Sequence, residues 1–538
     1  MQTKTTPIHV TYKGEFMIIK TVLRIVSCTV VVFAGWVWSD TVSVDYAKVK
    51  KAIDPLSFGM DASYAVTEFQ SENPGYITGL KYMTGTSHGN TGLIRLHQWG
   101  MLDSWTSNGW WDANKVMRTV KSLKSNGFTI EINIPDGPKG QFSTIDTNKI
   151  GRFCSDLVKI VNIDNKSKVK YWEVPNERDI NAFKGMLEAE PLAALVKRCR
   201  AEMKKVDSTI LVGGPAFGDP PNLELMLKFV RAVVPDIDFI SFHAYAVGNK
   251  QNASDAEIYD ATQIKIANIV KTLRDTLSVL SPNKYIPIHC NEYNLTWDWN
   301  YIDPRLHTNK MAVFVALTMF EMVRNGGDIT NIWNEKENAF GMMDQSNQPY
   351  LPGHLFHLVN TCFMGNMVEC AETNGKRVFA FASRDGQTRS LLLINRSATR
   401  QDVSVNVKGL PSDMIMKRYE VWTTIDSSKT VTLSEVGKGL SLPDNSVTIL
   451  TGKAQASGIK PSLHISSVAS EKEPARFSVH TVSGRLVGTY STKTDILSKT
   501  VISQAVRTGS TKAIPSGVYV VSVSGVNGQR NVRCALQF

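Results

Sequence analysis

The stretch that decides the fold is Lys170-Tyr171-Trp172-Glu173-Val174-Pro175-Asn176-Glu177-Arg178-Asp179. Its first half is rich in aromatic and β-branched residues and predicts a β-strand. Pro175 ends that strand, because proline cannot donate a hydrogen bond to a ladder. An amide and a carboxylate, Asn176 and Glu177, follow directly. Polar side chains at the carboxyl end of a strand are the usual catalytic placement in a barrel of alternating strands and helices.

A second stretch of the same kind follows about 115 residues later, at Tyr285-Ile286-Pro287-Ile288-His289-Cys290-Asn291-Glu292-Tyr293-Asn294. It is a short apolar strand that ends in the carboxylate of Glu292. Either glutamate alone is typical of a solvated strand end. Two of them, each after an asparagine, form the pair that retaining glycoside hydrolysis requires, an acid/base and a nucleophile with carboxyl groups about 5–5.5 Å apart.

The chain around these stretches predicts a parallel α/β architecture, because strand candidates alternate with amphipathic helices from Ser57 to Trp333. We therefore predict the α/β class, with a (β/α)8 TIM barrel over residues 40–365. The eight predicted strands are Phe58–Ala65, Gly92–His97, Phe128–Pro135, Val169–Val174, Thr209–Gly213, Asp238–Tyr245, Tyr285–Cys290 and Ile329–Trp333.

The sequence pattern changes at about residue 366. Short β-rich runs parted by Gly, Asp, Asn and Ser predict an antiparallel β-sandwich over residues 366–453, and Val42–Val49 is a candidate extra strand of it. Residues 454–475 are rich in Ser, Ala, Lys and Pro and predict a linker. Residues 476–538 predict a small all-β domain at the C-terminus.

Residues 1–39 have the pattern of a signal peptide. In residues 17–38, basic side chains precede an apolar core, and Ser39-Asp40 follows it. We therefore expect a secreted or cell-surface protein. Two alternatives remain open, a transmembrane anchor and a lipoprotein cleavage box ending at Cys28.

Charge and cysteine content exclude some classes of function. The net charge is +11, but residues 1–39 carry +3 and residues 454–538 carry +7, which leaves +1 for residues 40–453. A nearly neutral central region predicts no nucleic-acid partner. The cysteines after Cys28 show no CxxC pair and no metal-ligand spacing, so we expect neither a metal nor another cofactor. Cys362 and Cys370 are close enough in sequence for a disulfide.

The Asn176-Glu177 pair at the fourth strand and Glu292 at the seventh resemble the clan A glycoside hydrolases, the retaining "four-seven" barrels of families 5, 30, 39 and 51. The resemblance covers residues 40–453. The barrel-plus-sandwich layout is most similar to the xylosidase-like family 39 and arabinofuranosidase-like family 51 branches. Pro175-Asn176-Glu177-Arg178 departs from the more usual Asn-Glu-Pro, so both branches stay open.

The resemblance implies a role for each of these residues. Glu177 is expected to be the general acid/base and Glu292 the nucleophile, with a carbohydrate as substrate. A glycosyl ester would form on Glu292, and water activated by Glu177 would release the sugar. Asn176 would hydrogen-bond the sugar 2-hydroxyl, a contact that strengthens towards the oxocarbenium-like transition state. An amide that only caps the turn is the alternative.

Further candidates lie at the ends of the second and sixth strands. In clan A barrels an arginine in the position of Arg95 commonly supports the nucleophile, and a cation beside Glu292 would keep it ionised. A buried structural ion pair is equally compatible. His97 shares this strand end. His243 and Tyr245 alternate onto one strand face. Tyr245 could donate to Glu292 or pack as an ordinary aromatic side chain.

Tryptophans and additional carboxylates complete the set of candidates. Trp333 ends the eighth strand, where its ring could form the floor under a sugar. Six more tryptophans follow the second and seventh strands and predict a cleft lining: Trp99, Trp105, Trp110, Trp111, Trp297 and Trp299. Three carboxylates near the expected rim are interpreted as solvated loop residues: Asp136, Glu335 and Glu337.

The C-terminal unit resembles the β-rich sorting domains read by the type IX secretion system. The resemblance rests on residues 482–487 and 514–521, and it implies the secretion machinery as a partner. An immunoglobulin-like accessory module is the alternative. For the whole chain the rival functions are a non-catalytic carbohydrate-binding barrel and an adhesin, neither of which requires two paired glutamates. A metal-dependent barrel hydrolase would need histidines in the first strand, which has none.

Overall fold

The computed structural model describes residues 40–135, 137, 146–180, 187–218, 223–337 and 339–454, and the backbone of four strands between residues 476 and 536. The predicted signal peptide, residues 1–39, lies outside the described residues. The predicted linker does too, except for Ala454.

Eight parallel strands close into a barrel, which confirms the predicted fold class. The barrel strands are β2 (Phe58–Asp61), β3 (Leu93–Leu96), β6 (Thr129–Asn133), β7 (Tyr171–Glu173), β8 (Leu211–Phe217), β9 (Ile240–Tyr245), β10 (Ile288–Asn294) and β11 (Ile329–Ile332). Around the ring their order is β10, β11, β2, β3, β6, β7, β8, β9, and β10 closes on β9. A two-stranded hairpin, β4 (Thr106–Ser107) and β5 (Trp110–Trp111), follows β3.

Helices connect the strands and cover the barrel. They are α1 (Ser63–Thr67), α2 (Pro74–Met83), α3 (Met101–Ser104), α4 (Ala113–Ser125), α5 (Thr147–Val158), α6 (Ala189–Val206), α7 (Leu223–Val233), α8 (Asp255–Leu280), α9 (Asn309–Arg324) and α10 (Leu351–Cys362). Short polar side chains start several of them. Asp112 accepts hydrogen bonds from the first turn of α4, and Ser254 with Glu257 forms a capping box on α8.

Three predicted strands have wrong boundaries. The fifth strand starts at Leu211 rather than Thr209 and runs to Phe217 rather than Gly213. The other two differences bear on the site. The first strand ends at Asp61 rather than Ala65, because α1 begins at Ser63. The seventh strand starts at Ile288 and runs to Asn294, so Glu292 lies within the strand rather than after it. Every residue of β10 is buried. The pairing of β10 with β9 shifts register beside Glu292, between Cys290 and Glu292.

A second, nine-stranded sheet follows the barrel and takes β1 from before it. Its order is β17, β16, β19, β14, β13, β12, β1, β15, β18. The strands are β1 (Asp40–Ala52), β12 (Asn366–Glu372), β13 (Val378–Asp385), β14 (Thr388–Asn395), β15 (Gln401–Lys408), β16 (Ile415–Val421), β17 (Ile425–Thr432), β18 (Leu440–Leu442) and β19 (Ser446–Lys453), with α11 (Leu433–Lys438) between β17 and β18. Its pairs are antiparallel except β1 with β15, which are parallel.

This sheet buries two faces. Residues such as Val42, Leu393 and Val405 form its own core, so the sheet curls over itself. Alternate residues such as Phe381 belong instead to the barrel core, and the Phe381 ring lies 4.5 Å from that of Phe320 on α9. Because α9 is covered by both units, its residues 311–323 are all buried. Successive side chains of β13 and β14 point to opposite faces of the sheet, so one face packs on the barrel and the other faces the core of the sheet itself.

The last described strands form a separate antiparallel sheet in the order β21, β20, β22, β23. They are β20 (Arg476–Thr481), β21 (Leu486–Ser491), β22 (Gly517–Gly525) and β23 (Gly528–Leu536). Among the described helices, none combines the length and the apolar composition that a membrane crossing requires. Cys362 and Cys370 are both free thiols, so the disulfide considered from their spacing does not form.

Candidate active site

Glu177 lies in the loop that follows β7, in a backbone conformation that few side chains adopt. Its φ is +52°, in the left-handed region, and its N–H donates to the carbonyl of Ala216 at 3.0 Å. A Cβ on Gly218 would stand 3.0 Å from Cγ of Glu177, so the neighbouring chain passes very close. These contacts hold a partly exposed carboxylate, 22% accessible, over the end of the barrel.

Glu292 projects from β10 into the same space and is almost fully buried. Its Oε1 accepts from Nη1 of Arg95 at 2.9 Å and lies 3.2 Å from Nε2 of His97. Its Oε2 accepts from the hydroxyl of Tyr245 at 2.9 Å and lies 3.4 Å from Nδ1 of His243. The structure thus brings together four residues that the sequence proposed separately, and all of them surround one carboxylate.

These neighbours keep Glu292 ionised. Burial by itself would raise the pKa of this carboxyl, because a charge is poorly solvated away from water. The charge of His243, the hydrogen bond from His97 and the charge of Arg95 outweigh that effect and hold the pKa well below its usual value. A carboxylate that cannot pick up a proton near neutral pH is suited to be a nucleophile or to stabilise a cation.

His243 connects the two glutamates. Its Nδ1 lies 2.7 Å from Oε1 of Glu177 as well as 3.4 Å from Oε2 of Glu292. Burial would lower the pKa of this imidazole, but Glu292 and Glu177 raise it above its usual value. Its Nε2 is buried and makes no hydrogen bond to a described residue. His243 is therefore well placed to balance the negative charge of the pair.

Arg95 on β3 organises the floor of the site. Its guanidinium donates to Asp61 at 2.5 Å, to Glu173 at 2.6 and 2.8 Å, and to Oδ1 of Asn176 at 2.9 Å, in addition to Glu292. The side chains of Arg95, Asp61 and Glu173 are fully buried. The contact with Asn176 turns its amide oxygen towards the arginine, so its amide nitrogen points away from Arg95 and can donate to another group.

Sequence reasoning missed several residues of this network, and two of them make several of its hydrogen bonds. Glu173, in the first quoted stretch, and Asn291, beside Glu292, were not assigned a role. Yet Glu173 accepts from Asn133 at 2.9 Å and from Asn291 at 2.6 Å. Asn291 also donates to Glu131 at 2.7 Å. For Glu173 the available signal was the period-two alternation of a strand, because a charged residue on the inward face of an apolar barrel strand needs a buried partner.

The tryptophans divide into two groups. Trp333 is buried, and its ring lies 4.8 Å edge-on from that of His97. Trp99, Trp297 and Trp299 are each about half exposed, at 52, 50 and 49%. Three tryptophans belong to the core or to its edge: Trp105 directly before the hairpin, and Trp110 and Trp111 within it. The prediction of a six-membered cleft lining was therefore wrong for the hairpin, which folds back onto α5.

Glu335 and Glu337, interpreted from the sequence as solvated loop residues, are in fact buried. Glu335 accepts from the hydroxyl of Tyr76 at 2.8 Å and from the N–H of Tyr64 at 2.9 Å. Glu337 accepts from Asn334 at 3.2 Å. Burial raises the pKa of Glu335 to about 8 and that of Glu337 to about 7. The loop after β11 packs down onto α1 and α2, which sequence periodicity did not indicate. Asp136 lies outside the described residues.

The raised pKa of Glu335 predicts a pH-dependent stability. The folded protein keeps a proton on this carboxyl up to about pH 8, whereas an unfolded chain loses it near 4.5. Stability should therefore fall as pH rises from about 4.5 to 8, by at most about 1.4 kcal/mol per pKa unit of the shift. Glu335→Gln cannot ionise and keeps the acceptor for Tyr76, so its thermal midpoint should fall less over this window.

The measurement is thermal unfolding at pH 5, 6.5 and 8 for wild type and Glu335→Gln. The exposed Glu68→Gln serves as the control and should keep the wild-type dependence. Parallel dependences for Glu335→Gln and wild type would show that Glu335 is already ionised in the folded protein.

One group of side chains has donor atoms close enough together to hold a metal ion. Oxygens of Glu177 and Glu292 and a ring nitrogen of His243 all lie within 4.8 Å of one another. Both oxygens of Glu292 already have two partners each, and Arg95 places a positive charge beside them. This donor set is committed to hydrogen bonds and fits a pair of reacting carboxylates better than a cation.

Comparisons with known proteins bear on the family and on the fold of the chain. Residues 145–367 match the model of glycosyl hydrolases family 39. No curated protein sequence matches the chain. Solved structures resemble the chain in fold, and three of them are given as examples. A monomeric beta-xylosidase from Caulobacter crescentus CB15 has 16% identity and a TM-score of 0.58, covering 77% of this chain and 100% of its own.

An alpha-L-arabinofuranosidase from Thermotoga maritima has 15% identity and a TM-score of 0.61, with 77% of this chain and 100% of its own covered. The GH39 enzyme from Xanthomonas axonopodis pv. citri has 15% identity and a TM-score of 0.58, with 78% and 98% covered. These likenesses concern the fold. The family match includes Glu177, His243, Glu292 and Trp333, and it starts after Arg95. Over residues 145–367, the part of the barrel that carries both glutamates, the chain is therefore similar to the O-glycosyl hydrolases of glycosyl hydrolases family 39.

Proposed function

We propose that this chain is a retaining glycosidase in which Glu292 is the nucleophile and Glu177 the general acid/base. One observation carries the proposal: oxygens of the two carboxylates lie within 4.8 Å of each other. Retaining enzymes separate their carboxyl groups by about 5–5.5 Å, whereas inverting enzymes need about 6.5–9.5 Å to admit a water between carboxylate and sugar. The spacing here suits direct attack by a carboxylate.

The different surroundings of the two glutamates support this division of roles. Glu292 is buried among Arg95, His97, His243 and Tyr245 and stays ionised. Glu177 is partly accessible and has His243 as its neighbour, so a leaving group or a water can reach it. A pair of carboxyl groups in unlike environments is what an acid and a nucleophile at one site require.

The proposed reaction has two steps. In the first, a carboxylate oxygen of Glu292 attacks the anomeric carbon while the glycosidic C–O bond breaks, and Glu177 gives its proton to the departing oxygen. In the second, Glu177 removes a proton from water, which attacks the same carbon and breaks the ester to Glu292. The sugar leaves with its original anomeric configuration, and both carboxyl groups return to their starting state.

Other residues of the site support the sugar in this proposal. Arg95 holds the oxygen of Asn176, so the amide nitrogen can donate to the sugar 2-hydroxyl. His97, against the edge of Trp333, borders the position of the reacting ring. Trp333 would form its floor, because sugars present C–H faces that pack on aromatic rings. The substrate class is a polysaccharide or oligosaccharide.

The stereochemical outcome tests the proposal. Wild-type protein is incubated with 4-nitrophenyl glycosides of xylose, arabinofuranose and glucose, and the first product is followed by proton NMR. The anomer formed first should have the configuration of the substrate and should mutarotate only later. First appearance of the opposite anomer would show that water, not Glu292, attacks the sugar.

Export is part of the same proposal. The apolar segment at residues 17–38 supports a cleaved leader, and the β-rich residues 476–538 support a tail read by secretion machinery. N-terminal sequencing of protein recovered outside the producing cell checks the leader: a start near residue 40 is expected, and a retained residue 1 contradicts it.

A further inference from the structure

Two half-exposed tryptophans continue outward from the catalytic carboxylates. Trp99 is 52% exposed and Trp299 is 49% exposed, although indole is among the largest apolar side chains. Leaving this much apolar surface in water forgoes the favourable free energy that burial of each ring would contribute. Trp297 in the same loop is equally exposed, whereas Trp105, Trp111, Trp172 and Trp333 are buried. An exposed pair that is not needed for packing is typical of a binding surface.

The exposed rings are connected to the site without a gap. The Trp99 and Trp299 ring centres are 5.7 Å apart, and Trp299 lies 6.1 Å from Trp333. Trp333 lies 4.8 Å from His97, whose Nε2 is 3.2 Å from Oε1 of Glu292. We call Trp333, Trp299 and Trp99 the tryptophan row. It runs from the nucleophile position to the surface.

Local contacts hold the row in place. The edge of Phe340 packs on Trp299 at 4.9 Å, and the N–H of Trp99 donates to Nδ1 of His97 at 3.0 Å. The outermost ring is thus tied by its backbone to a residue that contacts Glu292. Platforms fixed in advance lose little conformational entropy when a ligand stacks on them.

The barrel order decides which side of the reacting bond the row serves. Trp99 follows β3, Trp299 follows β10 and Trp333 follows β11, three strand ends within one arc of the ring β10, β11, β2, β3. Glu177 follows β7, which stands directly across the ring from β11. The leaving group must lie beside the acid Glu177. The row therefore lies on the opposite side, where the retained part of the substrate continues.

We propose that the tryptophan row binds additional sugar rings on the non-leaving side, so the preferred substrate is a chain of two or more sugars rather than a terminal single sugar. The inference rests on the proposed function, because it uses the roles of Glu177 and Glu292 to orient the substrate. It goes beyond that function by setting the length and the direction of the bound glycan.

The first test compares glycosides of different length. 4-Nitrophenyl β-D-xyloside and β-D-xylobioside, and the corresponding glucoside and cellobioside, are assayed with wild type, Trp299→Ala, Trp99→Ala and Trp297→Ala. Wild type should show a higher kcat/KM on the disaccharide of the series it accepts. Trp299→Ala should lose about 10-fold on that disaccharide and little on the monosaccharide, the scale expected for a lost aromatic contact.

Trp297→Ala is the matched control. Trp297 is in the same loop and equally exposed, but its indole lies beside Gly248 rather than in the row. It should behave as wild type on every substrate. Equal losses on both substrate lengths in Trp299→Ala, or no loss at all, would overturn the inference and leave the retaining mechanism standing.

A binding measurement separates this inference from the proposed function. Xylohexaose and cellohexaose are titrated into full-length Glu292→Ala and into Glu292→Ala/Trp299→Ala while tryptophan fluorescence is followed. Binding of one of them that weakens about 10-fold in the double variant supports the row even where no glycoside is hydrolysed. Absence of binding by both, or equal affinities in the two proteins, contradicts it. Thermal midpoints confirm that each variant is folded.

Discussion

Replacing Glu292 with alanine is expected to lower kcat by roughly 10⁴- to 10⁶-fold, the scale on which hydrolases lose activity without their nucleophile. The reason is that no other described carboxylate can reach the anomeric carbon from the same side, since Arg95 holds Glu173 and Asp61 deeper in the barrel. Initial rates on the best aryl glycoside, measured at substrate saturation, give the comparison.

Rescue by azide distinguishes a lost nucleophile from a damaged fold. The small anion can occupy the space left by the carboxylate and attack the anomeric carbon, and the leaving group departs with the proton of Glu177. Glu292→Ala should therefore form a glycosyl azide with the configuration opposite to that of the substrate. Glu335→Gln is the control: it removes another buried carboxylate near the same end of the barrel, and this variant should stay active. Full activity in Glu292→Ala without azide would refute the nucleophile assignment.

Replacing Glu177 with glutamine is expected to produce a loss that depends on the leaving group. For an alkyl or sugar leaving group, which needs a proton, kcat/KM should fall about 10²- to 10⁴-fold. For a 2,4-dinitrophenyl glycoside, which departs as a stable anion, formation of the ester on Glu292 should be nearly unaffected. Hydrolysis of that ester should then become slow, so a burst of dinitrophenol should precede a slow steady state.

Glutamine is the appropriate replacement because its carbonyl can still meet Nδ1 of His243 at the position of Oε1, 2.7 Å away. The loop conformation at φ +52° is equally available to both side chains. Stopped-flow measurements with the two leaving groups provide the test. The same fold-loss on both would mean that Glu177 positions the substrate but transfers no proton.

The architecture was readable because its signals are local. Alternating strand and helix periodicity predicted the barrel, and proline, asparagine and glutamate at the strand ends marked where its catalytic face lies. Period-two alternation also placed His243 and Tyr245 on one strand face. These inferences succeed because backbone geometry forces them: in parallel strands of one barrel, all carboxyl ends meet at the same face.

The pairing of side chains was not local and could not be read in the same way. Arg95 binds Asp61, Glu173, Asn176 and Glu292, which come from three different parts of the chain, and only barrel closure brings them to one guanidinium. The sequence analysis predicted an exposed Glu335, but the loop that carries it folds back. The residues that bury Glu335, such as Tyr76, lie about 260 positions earlier in the chain.

The sequence by itself determined which elements form, the end of the barrel on which they present polar groups, and which two glutamates face each other there. Only the tertiary structure decided that Glu292 is surrounded by cations and stays ionised, which tryptophans remain in water, and on which side of the reacting bond they lie. The physical reason is that hydrogen-bond periodicity acts between near neighbours in the chain, whereas solvation and charge depend on everything that folding brings within a few ångströms.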